Sequence, residues 1–133
     1  MTLREIFHAH IPTLTTDSTV RDAVDKMDIY QFPALVVVNE RNYPISVVTE
    51  GDICRAVAHR DSLLSIAQDP AHIYGTKDPT VVAPDFEIGS AFHLMHGSGL
   101  TILPVIEDDR LMGIVLRVDL MQAMFLDSDS ICS

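Results

Sequence analysis

The chain has 133 residues, 47% hydrophobic and 21% charged, enough apolar side chain for one packed domain or two small units sharing a core. A formal net charge of -10 at pH 7, with only 9 scattered Lys and Arg residues, argues against nucleic acid or an anionic membrane surface as a partner. The longest apolar runs are strand-length, the first residues lack a signal-peptide core, and Cys54 and Cys132 form no metal-binding pair, so a soluble protein in a reducing, cytoplasmic setting is expected.

In chain order, residues 3–7 predict a short helical turn and residues 11–15 an extended piece containing Pro12. Asp17-Ser18-Thr19 is a helix-start cluster, and Val20, Ala23, Val24 and Met27 then recur at helical spacing, with Asp22, Asp25 and Lys26 on the other side. Residues 34–38 read as a buried strand, 39–42 as a polar turn and 45–49 as a second strand, together a β-hairpin. Gly51 permits a sharp change of direction, and Asp52 is expected to cap a helix over residues 53–60. A strand handing over to a helix N-terminus offers free N–H groups and a positive partial charge. Thr49 and Asp52 would sit beside it as anion-site residues, or simply as a strand end and a helix cap. Residues 61–79, broken by Asp69-Pro70, Gly75 and Asp78-Pro79, read as a linker with one helical turn at 63–67.

The same order then returns. Ile88, Ala91 and Met95 repeat Val20, Ala23 and Met27, and Leu103-Pro104-Val105-Ile106 repeats the first strand of the hairpin. Gly113-Ile114-Val115-Leu116-Arg117-Val118-Asp119 repeats Ser46-Val47-Val48-Thr49-Glu50-Gly51-Asp52. The offset is 68 residues before the hairpin turn (Val20 to Ile88) and 67 after it (Asp52 to Asp119), and a hairpin turn is where a duplication most easily tolerates a length change. The chain is therefore a duplicated α/β unit.

With that duplication in place, the chain from about residue 3 to about residue 126 resembles a tandem pair of cystathionine β-synthase (CBS) domains, or Bateman module. The carriers are Leu14-Thr15-Thr16-Asp17-Ser18-Thr19-Val20 and Lys77-Asp78-Pro79-Thr80-Val81-Val82-Ala83-Pro84-Asp85, the hairpin from Leu103 to Val115, and the endings Thr49-Glu50-Gly51-Asp52 and Leu116-Arg117-Val118-Asp119. The resemblance implies an α/β fold of two pseudo-symmetric β-α-β-β-α repeats packed sheet to sheet. Residues 1–66 would be the first repeat with an N-terminal segment, 67–80 a linker, 81–127 the second repeat and 128–133 a polar tail.

The resemblance further implies two clefts that take adenosine-containing ligands such as AMP, ADP, ATP or S-adenosylmethionine, with the Asp accepting from the ribose hydroxyls and the Thr reaching the α-phosphate. Transferred residue by residue, one cleft would use Val47, Thr49 and Asp52 with Gly75, Thr80, Leu100, Thr101 and Ile102, and Arg55 as a possible phosphate contact. Ser46 departs from the family's usual Gly. The other would use Ile114, Leu116 and Asp119 with Phe7, Pro12, Phe32, Pro33 and Ala34. There Leu116 replaces the hydroxyl residue, Pro12 offers no N–H and Phe32 is bulky, so this cleft is expected to be weak or empty.

His93 and His96 lie i, i+3 on a predicted helix without a third ligand at suitable spacing, and Glu107-Asp108-Asp109 lacks the alternation of a Ca²⁺ loop. No Gly-rich phosphate loop, nucleophile elbow or CxxC is present, so neither an enzyme nor a required cofactor is expected. The last helix is apolar nearly all round at Leu120, Met121, Ala123, Met124, Phe125 and Leu126, so it either wraps wholly within its own chain or, as is expected, meets another chain, which the resemblance implies is a second copy in a homodimer. The expected function is a regulatory module that binds an adenosyl ligand and signals to an effector protein. The alternative is a ligand-free dimerisation or protein-interaction module.

Overall fold

A computed structural model describes residues 1–60 and 62–132, the side chains of 128–132 excepted. The chain divides into two compact units, one of residues Pro12–Pro79 and one joining Met1–Ile11 to the chain from Thr80 onward.

In the first unit the strands are β1 (Thr13–Leu14), β2 (Ala34–Val38), β3 (Pro44–Thr49) and β4 (Thr76–Lys77), in that order across one sheet. β1 runs parallel to β2, and the other pairs are antiparallel. The β-branched run Val36-Val37-Val38 favours this central position, and β2 is buried along its whole length. Helix α1 (Val20–Tyr30) precedes the hairpin and α2 (Glu50–Arg60) follows it. α1 starts where the Asp17-Ser18-Thr19 cluster predicts: the Thr19 hydroxyl accepts from the Asp22 N–H, and the Asp22 carboxylate accepts from the Thr19 N–H. It stops at Gln31, which takes the left-handed conformation at φ 60°. Its buried face (Val20, Ala23, Met27) meets Leu14, Leu35, Val37, Val48 and Ile53 in one core.

The stretch read as a linker is folded into this unit. Residues 63–67 form successive turns instead of a helix, with N–H groups of Ser65 and Ile66 bonding three residues back. Ile66 and Ala71 are fully buried in the core, a 3-10 turn spans Ala71–Tyr74, and β4 completes the sheet edge. Burying an Ile or Leu side chain contributes roughly 1.5–3 kcal/mol, and it is Ile66 that draws this stretch in.

In the second unit, α3 (Ile88–Ser98), β5 (Ile102–Glu107), β6 (Arg110–Leu116) and α4 (Arg117–Cys132) follow the same order. The β5–β6 hairpin turns through Asp108 and Asp109, both at positive φ (53° and 58°), as a two-residue primed turn requires. The opening strand of this repeat is reduced to one parallel bridge, Val82 to Val105, because Pro84 removes the donor that would extend it.

The N-terminal segment, expected with the first repeat, is built into this unit. Leu3 is fully buried among Val82, Ile88, Leu103 and Leu120; its N–H donates to the Phe86 carbonyl at 3.0 Å, and the Arg4 N–H to Pro84 at 2.9 Å. Arg4 also pairs with Asp85 and Glu107, both of which keep its guanidinium pKa raised. The residues expected as a polar tail continue the backbone of α4 to Cys132, and their side chains lie outside the described residues.

Candidate functional site

The strand-to-helix junction of the first repeat is tighter than its sequence implies. Helix α2 begins at Glu50, three residues earlier than expected, so Thr49 is the residue before the helix and Asp52 its third residue. A reciprocal pair of bonds explains the shift. The Asp52 N–H donates to Thr49 Oγ1 at 3.1 Å, and the Thr49 N–H donates to Asp52 Oδ2 at 2.9 Å. The Thr-x-x-Asp spacing thus closes a capping box, and Asp52 does not itself occupy the cap position.

This box also recurs at Thr19 and Asp22, with the same distances of 3.1 and 2.9 Å. By itself it is a helix start and nothing more. Two features separate Asp52 from Asp22. The Asp22 side chain stands in solvent, its pKa lowered chiefly by the Thr19 N–H, whereas the Asp52 side chain is only 10% exposed. In addition, Asp52 Oδ1 is turned to the guanidinium of Arg55 one turn along the helix, and Arg55 is 70% exposed. An oriented carboxylate, a hydroxyl, a helix N-terminus and an exposed guanidinium therefore lie together on the seven residues from Thr49 to Arg55.

Gly75 closes over this strand. A Cβ on Gly75 would lie 2.5 Å from the Val47 carbonyl oxygen and 2.7 Å from Ser46 Oγ, so the extended backbone before β4 approaches β3 as only glycine allows. Ser46 is 2% exposed, and its hydroxyl has no hydrogen-bond partner among the described residues. Val47 is buried on β3. The unit therefore holds Val47, Thr49, Asp52, Arg55 and Gly75 on adjoining segments.

The remaining residues expected with them belong to the other unit: Thr80 is exposed, Thr101 half-buried and Ile102 buried at the start of β5. Leu100 packs at the edge of that unit's core, where its N–H reaches the Met95 carbonyl after the Gly99 turn at φ 63°.

The second copy of the motif is assembled differently. Leu116 precedes α4 as Thr49 precedes α2, and its N–H donates to Asp119 Oδ2 at 2.8 Å, but Leu116 has no hydroxyl to complete the box. Asp119 Oδ2 also receives His8 Nε2 at 2.9 Å. A Cβ at Gly113 would collide with the His8 carbonyl oxygen and come within 2.5 Å of the Phe7 ring. Ile114 is buried on β6. Pro12, Phe32 and Ala34, expected with Ile114 and Asp119, belong to the first unit. There Phe32, with Met27, Asp28, Glu50 and Ile53, lines a groove of about 540 Å³ against α1, which includes neither Thr49 nor Asp52. The His8 bond and the Gly113 crowding could not be read from the sequence, because His8 lies 111 residues from Asp119.

Among the described residues no three His, Cys, Asp or Glu side chains converge as metal ligands. His93 and His96 are exposed and flank Phe92, with His96 stacked on its ring at 6.1 Å. Among the described residues no helix is long and apolar enough to cross a membrane.

Comparison with known proteins fits this architecture. An uncharacterized 17.7 kDa protein from the bps2 3′ region of Acidianus ambivalens is 33% identical over 107 residues, 80% of this chain and 62% of that protein. Inosine-5′-monophosphate dehydrogenase of Methanocaldococcus jannaschii is 25% identical over 119 residues, 89% of this chain but 22% of the enzyme. The chain spans 62%, 43% and 60% of three of the curated relatives it matches. In fold, it resembles the CBS-domain containing protein ATU1752 from Agrobacterium tumefaciens, with a TM-score of 0.84 at 20% identity over 93% of this chain and 99% of that one. It also resembles CBSX2, solved in complex with AMP, with a TM-score of 0.81 at 20% identity over 96% and 98% of the two chains. The family profile of the CBS domain matches twice, at residues 3–59 and 71–126. This chain belongs to the CBS domain family, as a tandem pair.

Proposed function

We propose that this CBS pair is a regulatory module that binds an adenosine-containing ligand, AMP, ADP, ATP or S-adenosylmethionine, at the Thr49–Asp52 junction and passes its occupancy to an effector protein. The observation that carries this reading is the Asp52 carboxylate. It is held by the Thr49 N–H, nearly buried, and has its second oxygen paired only with a side chain that is itself largely exposed. A ribose diol can replace Arg55 on Oδ1, since an ionised carboxylate accepts and never donates. The displaced guanidinium and the α2 N-terminus then face the phosphate. The AMP complex of CBSX2 supports the ligand class by likeness of fold.

Ligand that binds only the folded state raises its stability by about 2.7 kcal/mol at a hundredfold excess over Kd. A thermal-shift series with AMP, ADP, ATP, S-adenosylmethionine and guanine nucleotides is expected to raise the melting temperature with adenosyl ligands. A folded chain indifferent to all of them at millimolar concentration would remove the reading.

A second role accords with α4, where Val118, Met121, Phe125 and Leu126 are 52%, 46%, 70% and 65% exposed. Such a stripe is suited to a homodimer or an effector surface, with or without a ligand. Light scattering is expected to give a dimer mass that Phe125→Asp reduces to that of the monomer; an unchanged mass would place the contact elsewhere. An exposed Cys54 thiol accords with a reducing, cytoplasmic setting.

A further inference from the structure

The two aspartates of the repeated motif are occupied by different side chains. Asp52 is met by Arg55 from its own helix, a long side chain that can swing away without moving the backbone. Asp119 is met by His8, whose backbone is fixed on β6: its N–H donates to the Ile114 carbonyl at 2.9 Å, and its carbonyl accepts from the Ile114 N–H at 3.1 Å. Gly113 admits that close approach. The imidazole therefore arrives at Asp119 on a backbone seated by one antiparallel bridge, and it shares Oδ2 with the Leu116 N–H, leaving Asp119 19% exposed. In the first repeat the same register slot opposite Val47 is filled by Thr76, which makes no hydrogen bond to Asp52.

We propose that His8 is a built-in occupant of the second repeat's carboxylate: it engages the Asp119 oxygen that the Leu116 N–H also holds, stands where a ligand ribose would approach that carboxylate and keeps the position closed, so that the chain takes up one adenosine equivalent. This rests on the reading of the Thr-x-x-Asp junction as a ribose site and extends it to the copy in which Leu116 stands for Thr. The N-terminal segment then serves as a strap as well as a part of the core, and changes that lift it off β6 uncover a second position.

The test is calorimetric titration of the full chain with AMP, using His8→Thr because Thr is the residue the first repeat carries in this slot. The unaltered chain is expected to bind one equivalent and His8→Thr two. His8→Gln, which can still donate to Asp119, is expected to stay at one. Asp52→Ala combined with His8→Thr isolates the uncovered position and is expected to keep one equivalent, which Asp119→Ala then abolishes. One equivalent for His8→Thr, together with none for its combination with Asp52→Ala, overturns the proposal. Should Asp52→Ala alone leave the single equivalent intact, the assignment to Asp52 fails, while the comparison of its forms with His8 and with Thr at position 8 still decides the role of His8. If His8→Thr does not fold by circular dichroism, His8→Ala replaces it under the same outcomes.

Discussion

Gly113→Ala is expected to lower the unfolding free energy by about 2 kcal/mol, within the roughly 1–3 kcal/mol typical of overpacked sites. The added methyl would strike the His8 carbonyl oxygen, which is backbone held by two hydrogen bonds and unable to rotate aside. The expected result is a lower midpoint in urea. Hydrogen exchange at the His8 and Ile114 amides should also accelerate, since the bridge between these two residues must part to admit the methyl group. Gly97→Ala in α3 is the matched control, because a Cβ there meets nothing within 4 Å. It is expected to be neutral or to stabilise by up to about 1 kcal/mol, as alanine suits a helix better than glycine. Equal midpoints for Gly113→Ala and the unaltered chain would mean that the close approach constrains nothing.

The reason for that crowding is a complementary exchange between the repeats. Ser46 and Gly113 are equivalent positions, and each is crossed by an extended segment. Where the strand carries a side chain, Ser46, the crossing segment carries Gly75; where the strand carries Gly113, the crossing segment brings Phe7. One partner in each pair is glycine because two Cβ atoms do not fit at this separation. Ser46 is thus a change that Gly75 accommodates.

Asp52→Ala is expected to abolish the melting-temperature increase produced by adenosyl ligands. It should also lower the ligand-free stability by about 1 kcal/mol, the usual cost of losing a helix-start bond. The two effects are separable, because Asp22→Ala removes the same box from α1 and should lower stability similarly while leaving the ligand response whole. Asp119→Ala is likewise expected to leave the response nearly intact, since that carboxylate is engaged by His8. Retention of the full shift in Asp52→Ala, or equal losses in Asp22→Ala and Asp52→Ala, would sink the assignment of the ligand to this junction.

Much of the architecture was legible because it rests on local rules. The 3.6-residue spacing of Val20, Ala23 and Met27 marks α1, the β-branched run of β2 marks a buried strand, and the offset of 67 or 68 residues marks the repeat. α2 starts three residues before the position the sequence predicts, because Thr49 and Asp52 both have capping chemistry. Only their reciprocal bonds show which precedes the helix. The stretch of residues 61–79 looked like a linker because turn residues and breakers dominate it. Of its apolar side chains Ile66 and Ala71 are wholly buried while Leu64 and Ile73 stand exposed, a choice that no periodic signal marks.

By itself, the sequence determined the duplicated α/β repeat, the family, and the pair of Thr-or-Leu-x-x-Asp junctions, since each depends on the order and spacing of neighbouring residues. Tertiary structure alone decided where residues 1–11 and 71–77 are built in, that Gly113 and Gly75 admit those crossings, and which side chain occupies each aspartate. These are contacts between segments distant in sequence. They are fixed by the space left when a core closes, and that space has no counterpart in local pattern.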